Sequence, residues 1–148
     1  MKPLITFITI LFITLLSSPS WSENLTIDDL VETNGLYYKK FTDVPFTGEI
    51  FGEWTGSFRQ GKKIGEWITF YENGQLRKRQ HHIKGKITGI QEQYYEDGQL
   101  EFKGTFKDNI EHGPYWIYFQ DGQLFSKGSM KEGKYDGLRE TYTRGGKL

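Results

Sequence analysis

The chain has 148 residues, with 19 Lys plus Arg against 19 Asp plus Glu, 16% aromatic residues, 18 Gly, 4 Pro and no Cys. The charge balance argues against a nucleic-acid partner. The absence of Cys excludes a disulfide framework, a Cys nucleophile, thiolate metal sites and a lipid anchor on an N-terminal Cys. Aromatic-rich, Gly-rich and Pro-poor is the composition of strands joined by tight turns, not of a disordered chain.

In chain order, residues 1–22 read as a signal peptide. Lys2 gives a positive start, Leu4 to Leu16 is an apolar run, and Ser20 and Ser22 place small residues where a signal peptidase reads them. The 13-residue run spans about 20 Å as a helix, short of a ~30 Å hydrocarbon core, so a cleaved signal is expected rather than an anchor. Cleavage at Ser22/Glu23 leaves residues 23–148, periplasmic or secreted. Residues 23–40 read as an N-terminal cap. Thr26 and Asp29 have capping-box spacing and predict a short helix over Ile27 to Glu32. Asn34-Gly35 then marks a turn, and Leu36-Tyr37-Tyr38 opens the sheet.

Residues 41–148 are repetitive. Gly65, Gly89, Gly113 and Gly137 stand 24 residues apart, and the glycine nine residues after each of the first three lies in the phrase Asn73-Gly74-Gln75-Leu76, Asp97-Gly98-Gln99-Leu100 or Asp121-Gly122-Gln123-Leu124. Gly145-Gly146-Lys147-Leu148 is the fourth copy. A second column runs Gly61, Gly85, Asn109, Gly133, where Asn is the next-best residue for positive φ. The units are a shortened one over 48–64, full ones over 65–88, 89–112 and 113–136, and a half unit over 137–148.

Asn-Gly and Asp-Gly predict two-residue type I′ hairpins, and Lys84-Gly85, Asp108-Asn109 and Glu132-Gly133 turn the chain back. The fold class is therefore all-β: an antiparallel β-meander of ~24-residue β-hairpin repeats in one twisted sheet, with a short helical N-terminal cap. Three columns supply packing: Phe70, Tyr94, Tyr118, Tyr142; then Leu76, Leu100, Leu124, Leu148; then Phe58, His82, Phe106, Met130.

The phrase Gly-Glu-Trp-Ile-Thr-Phe-Tyr-Glu-Asn-Gly-Gln-Leu (65–76) and its copies resemble the MORN repeat variant, "membrane occupation and recognition nexus". Residues 35–48 resemble the lead-in of exported bacterial members filed as the YwqK-type antitoxin family. The resemblance covers about residues 35–148. It implies a hairpin-repeat sheet and an interaction role, since MORN repeats are associated with lipid binding and protein scaffolding. An antitoxin role is disfavoured by the export signal, because the usual toxin targets are cytosolic.

Catalytic chemistry finds no support in the sequence. His81 and His82 are adjacent on a strand and face opposite sides, so they cannot share a metal; with His112 they read as solvated strand histidines. Ser57, Ser126 and Ser129 lie in no Gly-x-Ser-x-Gly elbow, and the recurring acids belong to turns. No enzyme, no metal and no cofactor is expected. One hairpin departs from the rest: Arg77, Lys78, Arg79, Lys84 and Lys86 occur with no acid between Glu72 and Glu92.

Three functional readings follow. The leading one is a non-enzymatic exported scaffold that holds a protein partner, or a second copy, through Tyr94, Tyr118, Tyr142 and an open C-terminal edge. The second is a binder of anionic membrane or lipopolysaccharide through the 77–86 hairpin, at about 1 kcal/mol per basic residue. The third is carbohydrate stacking on exposed aromatics.

Overall fold

The computed structural model describes residues 24–146. The expected signal peptide and its cleavage point, and Leu148 of the second packing column, lie outside the described residues. A 3-10 turn (Ile27–Asp29) precedes β1 (Leu30–Thr33), β2 (Leu36–Lys39), β3 (Gly48–Ile50), β4 (Trp54–Arg59), β5 (Lys62–Phe70), β6 (Leu76–Ile83) and β7 (Lys86–Ile87). β8 (Gly89–Tyr94), β9 (Leu100–Lys107), β10 (Ile110–Tyr118), β11 (Leu124–Lys131), β12 (Lys134–Tyr135) and β13 (Glu140–Thr141) follow. β1 and β2 pair with each other, and the remaining 11 strands form one open, twisted sheet. Strands β3, β4, β5, β6, β8, β9, β10, β11 and β12 pair antiparallel in that order, with β7 added to β6 and β13 to β11. This is the meander that the 24-residue period predicts.

The leading glycines explain the split strands. Gly65, Gly89, Gly113 and Gly137 have φ of 68°, 96°, 115° and 82°. An L side chain resists those angles, and the ladder breaks or shifts register there, as between β7 and β8. A Cβ at Gly65, Gly89 or Gly137 would meet nothing within 4 Å, so glycine is required for its backbone and not for space.

The two turn classes are the reverse of the dipeptide reading. The two-residue type I′ loops are Gln60-Gly61, Lys84-Gly85, Asp108-Asn109 and Glu132-Gly133, both residues of each having positive φ. Arg59↔Lys62, Ile83↔Lys86, Lys107↔Ile110 and Lys131↔Lys134 close them. The Asn-Gly and Asp-Gly tips are instead three-residue loops. The Tyr71 amide donates to the Gln75 carbonyl oxygen at 2.8 Å and the Gly74 amide to the Tyr71 carbonyl oxygen at 2.9 Å, and of Glu72, Asn73 and Gly74 only Gly74 has positive φ. That is a type I turn closed by a glycine bulge. Asn73 Oδ1 accepts from the Gln75 amide at 2.9 Å, and Asp97 and Asp121 repeat the contact.

Each tip is tied to the next. The Tyr71 hydroxyl donates to the Tyr94 carbonyl oxygen at 2.7 Å and the Tyr95 hydroxyl to the Tyr118 carbonyl oxygen at 2.8 Å. Gln123 Oε1 accepts from the Gly145 amide at 2.7 Å. At the opposite rim the second residue of each type I′ turn bonds one repeat back: Gly85 to Lys63, Asn109 to Ile87, Gly133 to Glu111. Asn109 adds a side-chain bond, its Oδ1 accepting from the Ile87 amide at 2.7 Å.

The core lies at the N-terminal end of the sheet. Leu30, Ile50, Phe58 and Trp67 are buried together, with Leu25, Ile27, Tyr37, Phe46 and Trp54 packed around them. Phe58 stacks at 4.9 Å from Trp67 and 4.8 Å from Tyr37. The cap corrects the expected helix. The Thr26 amide donates to the Asp29 carboxylate, as the capping box predicts, and the Thr26 hydroxyl donates there as well, but the helical turn ends at Asp29. β-Branched Val31 and Thr33 with the Asn34-Gly35 turn favour a hairpin from Leu30 onward. That hairpin lies over Phe58 and Trp67, with the Tyr37 amide donating to the Gly61 carbonyl oxygen at 2.9 Å.

Candidate functional site

Strand alternation gives the sheet an inner face, carrying Trp67 and Phe58, and an outer one. Across the outer face runs a cross-strand row: Ile68, Arg79, Glu92, Lys103, Trp116, Lys127, Glu140, each directly opposite the next. Lys103 Nζ lies 2.9 Å from Glu92, Arg79 3.6 Å from Glu66 and 3.8 Å from Glu92, and Lys127 3.1 Å from Glu140. The hydrogen bond from Lys103 holds the Glu92 carboxyl below its usual pKa range. Trp116 sits half-buried in the row, with Lys103 and Lys127 as its neighbours.

The predicted tyrosines border this row. Tyr94 donates its hydroxyl to Glu92 at 3.0 Å, and Tyr142 donates to Glu140. Tyr118 pairs with Leu124 and is likewise half-buried. All three are held in place by sheet pairing or by an acid two residues back, so the face they form is ordered before any partner arrives.

The basic hairpin does not form one patch. Along β6 the exposed Arg77 and Arg79 alternate with the half-buried Lys78, which belongs to the face of Gln80 and His82. Arg77 stacks on Tyr71 at 5.6 Å, Arg79 is engaged by its two acids, and Lys86 pairs with Asp108 at 3.5 Å. Lys84 joins different neighbours. With Arg59 and Lys62 of the preceding turn it lines a groove of about 480 Å³ at the type I′ rim, together with Gln60, Ile64, His82 and Ile83.

His82 is not a solvated histidine. It is 5% exposed and packs edge-on to Trp67 at 5.9 Å. Burial, with Lys63 and His81 adding repulsion, pushes its pKa down to about 4, so the imidazole is neutral near pH 7. Its Nδ1 is buried with no hydrogen-bond partner among the described residues. Nearby, Lys63 Nζ lies 4.4 Å from the Trp67 ring, 5.0 Å from Trp54 and 5.5 Å from Tyr37. The protein's own ammonium fills this aromatic cage. Burial lowers the Lys63 pKa while Glu32 opposes the shift, and burial with a hydrogen bond to Glu32 pushes Tyr37 up to about 12.

Arg59, Lys62, Lys63 and Trp116 escape a reading that selects one hairpin by its own charge. Comparing the columns would have shown two of them: Arg59 and Lys62 flank Gln60, which stands 24 residues before Lys84. The Lys63 cage has no such signal, because Tyr37 comes from the non-repetitive cap.

These features define a class: an open single-layer antiparallel sheet assembled from interlocked hairpin repeats, with one face covered at its N-terminal end. Residues 63–84 and 87–108 match the model of the MORN repeat variant, two stretches whose starts lie 24 residues apart, in register with the period of the sequence. No curated protein matches the chain. Among solved structures it is similar to one of accessory secretory proteins 1, 2 and 3 from Streptococcus pneumoniae, at 16% identity and a TM-score of 0.38. That likeness covers 75% of this chain but only 20% of the other.

Proposed function

We propose that the protein is an exported, non-enzymatic repeat scaffold that holds a protein partner in the bacterial envelope. The outer face carries this reading. It presents Trp116 between Lys103 and Lys127, bordered by tyrosines whose positions are already fixed. Aromatic side chains held in one geometry are what protein interfaces concentrate, because little side-chain entropy is lost on contact. MORN repeats are generally associated with protein and membrane interaction, which supports an interaction role. The leader with Lys2, the Leu4–Leu16 run and Ser22 supports export.

The test is capture from envelope extract on tagged residues 23–148, washed at low and then high salt. A protein retained through high salt, and released when Tyr118→Ser and Tyr142→Ser are introduced into a chain that still folds, is the expected result. Retention indifferent to both substitutions would remove the tyrosine-bordered face as the site. Loss of everything at high salt, with lipid or lipopolysaccharide eluting, would replace a protein partner by an anionic surface.

A further inference from the structure

The groove at the type I′ rim has an internal control, because the repeat builds it twice. Its residues Arg59, Lys62, Ile64 and Lys84 correspond, 48 positions on, to Lys107, Ile110, His112 and Glu132, which line a second groove with Asp108. The backbone is the same: the turn residues Gln60, Lys84, Asp108 and Glu132 have φ of 50°, 52°, 53° and 52°. The charge is not. The first groove is lined by three basic residues and no acid, whereas the second contains Asp108 and Glu132.

Two more features mark the first groove. Ile64 and Ile83 line it, and Ile83 is 51% exposed, so apolar surface alternates with positive charge. His82, also in the lining, stands in a column that is otherwise Phe58, Phe106 and Met130.

We propose that this groove takes an acidic segment of the protein partner, carboxylates meeting Arg59, Lys62 and Lys84 and an apolar side chain lying over Ile64 and Ile83. The inference rests on the scaffold reading and names the chemistry of what the scaffold holds. A guanidinium fork and two ammonium groups suit carboxylates, and their side chains stay hydrated until the partner docks. A membrane fits less well. A flat anionic surface pressed on this rim meets every turn at once, and two turns further on it meets Asp108 and Glu132. A peptide one repeat wide avoids them. Asp108 itself is drawn to Lys86 at 3.5 Å, which leaves Lys84 without an acidic competitor in the groove.

The experiment uses the mature chain and a fluorescein-labelled peptide, Glu-Glu-Leu-Glu-Glu, with its all-Gln counterpart as control. Anisotropy should show salt-sensitive binding of the acidic peptide alone, with amide shifts confined to residues 59–64 and 82–84. Arg59→Glu with Lys84→Glu should weaken binding by about tenfold or more, since charge reversal replaces attraction by repulsion. Lys107→Glu, at the equivalent of Arg59, should leave it unchanged. The double variant is expected to fold, because Glu132 already occupies the conformation of Lys84, and circular dichroism checks this. Equal peptide affinity in the double variant would overturn the proposal. So would binding of phosphatidylglycerol vesicles without binding of the peptide. An envelope protein held equally by wild type and double variant would overturn the groove and leave the scaffold reading standing.

Discussion

The Tyr71 hydroxyl donates to the Tyr94 carbonyl oxygen 2.7 Å away, and Tyr95 makes the same bond to Tyr118 one repeat later. At the next position the column holds Phe119, which has no hydroxyl to give. The ring therefore packs in all three units, while the hydrogen bond ties only the first two. Tyr71→Phe and Tyr95→Phe should each lower stability by about 0.5–1.5 kcal/mol, the net worth of one hydrogen bond. Urea midpoints of the single and double variants test this, and the losses should add because the sites are a repeat apart. No loss in either variant would show that these two hydroxyl bonds contribute nothing to joining the repeats.

A second contact separates crowding from conformational need. A Cβ on Gly56 would sit 2.5 Å from the Trp67 indole, and Trp67 is 1% exposed with no room to retreat. Gly128, 72 residues on in the same repeat column, would approach the Tyr115 ring at 3.0 Å. Gly56→Ala should cost about 1–3 kcal/mol as an overpacked core, and Gly128→Ala less. Near-ultraviolet circular dichroism should change with the first, since Trp67 must shift. A larger loss at Gly128 would reverse the assignment of where packing is tightest.

That glycine column shows what was legible in the chain and what was not. The 24-residue period, the meander and the packing rows followed from recurring glycines and Gly-Gln-Leu phrases. The tightest column was missed: Ile50, Trp67 and Tyr115 are buried at the second position after a leading glycine, but Gln91 interrupts the row and hides its apolar character. Gln80 hides the facing Gly56, Gly104, Gly128 column in the same way. The turn types were exchanged because a dipeptide names a turn only once the register is known, and here Tyr71 and Gln75 close the loop around Asn73-Gly74. The cap was misread because a correct capping box starts a helix without sustaining it. Regrouping of Lys84 with Arg59 and Lys62 required neighbouring turns to be stacked, a relation that charge counting along one hairpin does not contain.

Burial of His82 makes stability depend on pH. Its pKa falls from 6.5 to about 4 in the folded chain, because burial disfavours the charged ring and Lys63 repels it. Between those values the unfolded chain binds the extra proton, so stability is complete above 6.5 and declines as pH drops toward 4. The loss amounts to as much as about 3 kcal/mol at the lower limit. His82→Phe, matching Phe58 and Phe106 in its column, should flatten this part of the profile. The difference between the two urea profiles isolates His82 from carboxylates such as Glu92, whose pKa is lowered and which lose their contribution at still lower pH. Parallel profiles would mean that His82 keeps an ordinary pKa in the fold.

The type I′ turns offer the opposite direction, a gain. Glu132 is exposed and held at φ 52°, a left-handed conformation that resists most side chains by roughly 1–2 kcal/mol and that Asn tolerates best. Asn34 already occupies the same place, at φ 53°, before Gly35. Glu132→Asn should therefore stabilise the β11–β12 hairpin by about 0.5–1 kcal/mol, read as a higher urea midpoint with an unchanged slope. Asn109→Ala should do the reverse, since Asn109 at φ 72° also supplies the oxygen that accepts from the Ile87 amide. Its loss should exceed that of Asn109→Gly, which gives up the hydrogen bond but keeps the backbone freedom. If Asn109→Gly proves the more damaging of the two, left-handed backbone strain is not what limits these turns, and Glu132→Asn should bring no gain.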